Sequence, residues 1–95
     1  HDPMVLWSTV GQLAAPGAAI FVKDLRRPPS VPVLDALVAL HAADAPPLLR
    51  RDYRHSLQAA FTVEEVEAQL QRAALSHLQL KAVEDRYLEV WGRLP

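Results

Sequence analysis

Asp24, Arg26 and Arg27 stand together in the stretch KDLRRPPS (residues 23–30), directly after the apolar run AAIFV. A carboxylate and two guanidiniums at the end of such a run can bind an anionic or polar substrate. They can also simply mark where a strand meets water, in which case an exposed ion pair contributes little. A second cluster, RRDYR at residues 50–54, sets Tyr53 among Arg50, Arg51 and Arg54. It reads either as part of a lid over a bound molecule or, more simply, as an inward-packing tyrosine whose arginines solvate the outer surface. His41 falls on an apolar helical stripe and reads as a packed residue. His55 and His77 share no metal-ligand spacing with it or with each other, so no metal site is expected. No Ser-His-Asp set and no catalytic pair of carboxylates stands out. Trp7 and Trp91 read as packing residues.

These residues sit in a chain of 95 residues that is 51% apolar, enough for one compact unit with a modest core. Ten Lys and Arg against eleven Asp and Glu leave no basic footprint for nucleic acid and none for an acidic membrane surface. No apolar run is long enough to span a bilayer. The absence of cysteine removes disulfides and thiolate metal sites, and suits a reducing cytoplasm.

The elements that must position the candidates follow from pattern and punctuation. Asp2 as N-cap and Pro3 at the first helical position open a helix with Leu6, Val10 and Leu13 on one stripe, closed by Pro16 and Gly17. Residues 18–25 begin with five consecutive apolar positions, Ala18 to Val22, as in a strand covered on both faces, and are expected to form a buried parallel strand. Ser30 caps a helix whose face carries Leu34, Leu37, Val38 and His41. A further helix from about Leu48 carries Leu49, Tyr53, Leu57 and Ala60. Thr62 and Glu65 form a capping box, with Phe61 and Val66 at the positions of a hydrophobic staple, and that helix runs to about Ala74. The tail alternates: Leu78, Leu80 and Ala82 point one way, and Leu88 and Val90 oppose Tyr87, Glu89 and Trp91. A hairpin turning at Glu84, Asp85 and Arg86 is expected. The order helix, strand, helices, strand, strand suits an α/β layer with one crossover and an antiparallel finish.

Taken together, DPMVLWSTVGQLAAPGAAIFVKDLRRP, LLRRDYRHSLQAAFTVEEVEAQL and VEDRYLEVWG resemble the carboxyl half of a class I S-adenosylmethionine-dependent methyltransferase. In that family a helix ends in a Pro-Gly turn leading to the fifth strand of a Rossmann-like sheet. A helical segment follows, and a closing hairpin inserts the last strand between the fifth and the sixth. The resemblance implies a partial fold of this kind, with one parallel strand, a C-terminal antiparallel hairpin and about four helices. It implies an enzyme that methylates a small-molecule acceptor, with Asp24, Arg26, Arg27 and Tyr53 as substrate-binding residues. His1 lies where family members border the methyl donor or acceptor, as a base or an orienting group. The Asp85-Arg86 turn belongs to the same rim.

The cofactor half is not among these residues. Gly11, Gly17 and Gly92 cannot form the glycine-rich turn that approaches the donor, so the chain alone is expected neither to bind S-adenosylmethionine nor to catalyse transfer. Ala74 and Ala18 stand where relatives tend to carry glycine. Two other classes compete with the methyltransferase fragment. One is an interaction module, homo-oligomeric through an exposed strand edge. The other is a small enzyme that uses the arginine rim for an anionic substrate.

Overall fold

A computed structural model describes residues 2–13 and 15–95 of the chain. In chain order the elements are α1 (Pro3–Leu13), β1 (Ala19–Leu25), α2 (Val31–His41), α3 (Pro47–Ala59), α4 (Val63–Arg72), β2 (Gln79–Val83) and β3 (Tyr87–Arg93). Helix and strand thus mix in the expected order. Among the described residues no helix is long and apolar enough to cross a membrane.

The three strands form one sheet in the order β1-β3-β2, with β3 in the middle and antiparallel to both neighbours. β1 and β2 therefore run parallel without touching, joined by the crossover through α2, α3 and α4. Residues paired across antiparallel strands share a face. The register Val22↔Val90, Asp24↔Leu88 and Leu80↔Val90 thus defines one side of the sheet, while Phe21↔Trp91, Lys23↔Glu89 and Leu25↔Tyr87 define the other.

α1 and α4 cover the first side. Trp7, Val66, Leu70, Leu88 and the fully enclosed Val90 form its core, with Met4, Ile20 and Val22 packed against it. The α1 stripe differs from the expected one: Trp7 is buried, whereas Leu6 is 41% exposed. This helix is apolar almost all round, so the bulkiest ring takes the core position, and the Trp7 indole N–H donates to Gln69 Oε1 (3.1 Å) inside it. The Leu13 side chain lies outside what is described.

β1 corrects two expectations. It is paired only antiparallel, to β3, and it is covered on one face rather than two, with Phe21 64% exposed. The cause is its position: β1 is an edge strand, and no described element lies over Phe21 and Lys23. A run of consecutive apolar residues reports that both faces can be buried, not that this chain buries both.

α2 and α3 pack on each other around Leu34, Leu37, Val38 and the fully enclosed Leu57, a second core joined to the sheet through Leu25 and Tyr53. It lies beyond the carboxyl end of β1, consistent with overall extents of 44 × 21 × 20 Å. Leu49, expected on the inner stripe of α3, is 57% exposed. The local signals of capping hold. The Ser30 hydroxyl accepts from Val33 N–H (3.4 Å). Glu65 N–H donates to Thr62 Oγ1 (3.2 Å), and Thr62 N–H to Glu65 Oε1 (2.9 Å), completing the capping box.

Two turns close the frame. The Pro16-Gly17 turn places Gly17 at φ +80°, and its N–H donates to Leu94 O (2.9 Å), clamping the start of β1 to the end of β3. α4 ends in a Schellman motif: Leu75 N–H donates to Leu70 O (2.8 Å) and Ala74 N–H to Gln71 O (3.2 Å). That motif forces Ala74 into the left-handed region at φ 59°. Ala18 does not adopt positive φ, so its methyl group is accommodated.

Candidate functional site

The carboxyl end of β1, the chain after it and the β2–β3 turn meet at one end of the sheet, and the candidate residues there divide into three groups. Asp24 follows Val22 on the α1 side and is exposed. Its Oδ1 accepts from Leu25 N–H (2.8 Å). It lines a cleft of about 40 Å³ whose walls include Trp7, Val22, Phe61, Val66 and Leu88.

Arg26 and Arg27 are brought together elsewhere, on a shallow groove of about 340 Å³ with Thr62, Val63 and Glu64. Each guanidinium makes two contacts within the chain. The Arg26 guanidinium donates to Tyr87 O and Glu84 O, and its backbone N–H donates to Arg86 O (2.7 Å), so this residue pins the hairpin turn. Arg27 pairs with Glu65 (3.0 Å) and donates to Ala60 O (3.4 Å), tying the segment after β1 to the cap of α4. Glu65 is held below the usual glutamate range first by the Thr62 backbone N–H, with Arg27 adding to it.

Tyr53 belongs to a third group. Its hydroxyl oxygen is buried and has no hydrogen-bond partner among the described residues. Burial pushes the phenol up from its ordinary value, against the Arg86 guanidinium nearby, which pulls it down. Arg86 contacts Asp85 Oδ1 (2.8 Å) and His41 Nε2 (3.1 Å), and stacks 4.5 Å from the centroid of the Tyr87 ring. His41 Nε2 in turn lies 2.8 Å from Asp85 Oδ2. His41 is therefore a polar link between α2 and the turn, rather than only a packed residue. The chain separation of 44 residues left no local signal of it.

Of the remaining candidates, His1 lies outside the described residues. Arg50 donates to Ala45 O (3.1 Å), and Arg54 pairs with Asp35, so both brace the α2–α3 pair. No group of three or more His, Cys, Asp or Glu able to hold a metal occurs among the described residues. The glycines are dispersed: Gly11 within α1, Gly17 in a turn, and Gly92 inside β3 with Leu78 Cδ2 3.0 Å from where a Cβ would stand. They offer no loop along which backbone can approach a nucleoside. No family model, curated protein or solved structure matches the chain.

Proposed function

We propose that this chain forms the acceptor-side portion of a class I S-adenosylmethionine-dependent methyltransferase domain acting on a small molecule. The observation that carries the reading is the strand order. β3 is inserted between β1 and β2 and antiparallel to both, as the last strand of that family is inserted between the fifth and the sixth. The helical crossover between two parallel strands fits the same Rossmann-like plan. The unpaired outer edge of β1 and its open face at Phe21 are where further strands and helices of such a sheet would pack.

The residues present do not fit the cofactor itself, so the donor belongs to residues other than these, and the contribution of this chain is the rim around Asp24 and Asp85-Arg86. The test is the reading frame upstream of His1. A glycine-rich strand, turn and helix is expected there, with stoichiometric binding of S-adenosylmethionine by the polypeptide that includes it and none by residues 1–95 in isothermal titration. A longer polypeptide that neither binds the donor nor transfers a labelled methyl group would sink the reading.

The second reading, an assembly module working through the β1 edge, is favoured by the same open edge and by the exposure of Phe21. Light scattering after size exclusion separates the two: a folded monomer at high concentration removes it. For an enzyme using Arg26 and Arg27 on an anionic substrate, each guanidinium would have to serve the substrate beside its existing contacts to carbonyl oxygens or Glu65.

A further inference from the structure

The cleft beside Asp24 combines an apolar wall with a single charge that nothing else on the described chain neutralises. Its basic neighbours are all engaged elsewhere. Lys23 points to the opposite face of the sheet, where it reaches Glu84 (3.5 Å) and the Tyr87 ring (4.6 Å). Arg26 is bound to the carbonyls of Tyr87 and Glu84, and Arg27 to Glu65. Asp24 has no ion-pair partner among the described residues, and its one hydrogen bond comes from the next residue's backbone.

The interior is of the opposite character. Trp7 and Leu88 are buried, and the one polar side chain there, Gln69, is held by the Trp7 indole. The space of about 40 Å³ takes a few water-sized groups. A negative rim over a small apolar recess is complementary to a cation that carries a short hydrocarbon. The ammonium forms a charge-assisted hydrogen bond to the carboxylate, and the hydrocarbon leaves water for the recess. An anion is repelled by Asp24, and a neutral alcohol of the same shape keeps a hydrogen bond to the carboxylate but lacks the opposite charge.

We propose that this cleft is a binding site for small alkyl amines, with the ammonium on Asp24 and the hydrocarbon against Trp7, Val66 and Leu88. The inference stands on the cleft alone and does not depend on the methyltransferase reading.

The experiment is a titration of the isotope-labelled chain, followed by amide and indole NMR shifts, with n-butylammonium, n-butanol and n-butyrate in turn. The expected result is saturable shifts of the Asp24 and Leu25 amides and of the Trp7 indole N–H with the ammonium. Binding should be a few-fold weaker with the alcohol, which keeps a hydrogen bond to the carboxylate but lacks the opposite charge, and undetectable with the carboxylate. Asp24→Asn, on an exposed side chain, is expected to lower ammonium affinity to that of the alcohol while the spectrum stays dispersed. Equal shifts for ammonium and alcohol, shifts confined to other surfaces, or an unchanged response in the Asp24→Asn chain would each overturn the proposal. The comparison of the three ligands on the unmodified chain decides it even without the variant.

Discussion

His41 Nε2 and Asp85 Oδ2, 2.8 Å apart, join the last residue of α2 to the turn between β2 and β3. With the proton on Nε2 the imidazole donates to one carboxylate oxygen and Arg86 Nη1 donates to the other, so the 3.1 Å approach of Arg86 to Nε2 is proximity and not a hydrogen bond. The contact between His41 and Asp85, with Leu25 and Tyr53, is what attaches the second core to the sheet. The His41 hydrogen bond, with Arg86 second, holds the Asp85 carboxyl below its usual range. The contact is therefore complete above the ordinary aspartate range and lost as pH falls through the lowered value. Asp85→Asn, which removes the charge at constant shape, is expected to speed amide hydrogen exchange in α2 and leave Leu88 to Val90 unaffected. Unchanged exchange in α2 would show that apolar packing alone attaches it.

The two cores predict a divided response to cavities. Leu57 is fully enclosed in the α2–α3 core, and Leu88, 3% exposed, lies in the sheet core. Truncation of either to alanine costs about 2–5 kcal/mol. Leu57→Ala is expected to raise exchange in α2 and α3 with little change in β3, because few contacts carry its loss to the sheet. Leu88→Ala should raise exchange across all three strands. Identical exchange profiles for the two variants would mean that the cores unfold as one unit.

Much of this frame is legible in the sequence, for identifiable reasons. Thr62 with Glu65 and Ser30 before α2 are local signals whose partners lie within a few residues, and each forms as read; the Pro16-Gly17 turn also forms as read, although Gly17 N–H bonds Leu94 O far along the chain. The alternation at Leu80, Leu88 and Val90 fixes the hairpin's buried face because one side of the sheet is covered. Three features were not legible. Trp7 displaces Leu6 from the core because an almost uniformly apolar helix has no periodicity to choose a face. The open face of β1 depends on what lies beside it. The links from His41 to Asp85 and from Arg26 to Tyr87 O span 44 and 61 residues, beyond any local pattern.

Glu65 gives a second pH dependence, at the start of α4. Its carboxylate accepts from Thr62 N–H and pairs with Arg27, and these hold its acidity below the ordinary value. A depressed carboxyl contributes stability that is present above the unfolded-state value. As pH falls through the folded-state value, that contribution is lost. Glu65→Gln keeps a side-chain acceptor for the cap and removes the charge. It is expected to lower stability modestly at neutral pH and to flatten the acid limb of the unfolding curve. An unaltered acid limb, measured by urea unfolding across the acid range, would assign the pH dependence to other carboxylates.

Ala74 offers the clearest route to a more stable chain. The Schellman hydrogen bonds from Leu75 to Leu70 and from Ala74 to Gln71 require a left-handed residue between them, and Ala74 supplies it at φ 59°. An L-residue with a Cβ pays about 1–2 kcal/mol in that region. Glycine escapes this but gives back part through the greater freedom of its unfolded chain. Ala74→Gly is therefore expected to stabilise by about 0.5–1 kcal/mol, and to raise Tm by a few degrees in a domain of this size. The control is one residue earlier. Ala73 sits at φ −88°, where alanine is unstrained, so Ala73→Gly should destabilise through chain entropy alone. Equal effects of the two substitutions in thermal unfolding would show that α4 does not end in this motif in solution, and with it would go the anchoring of Leu75 against Leu70 that starts the path into β2.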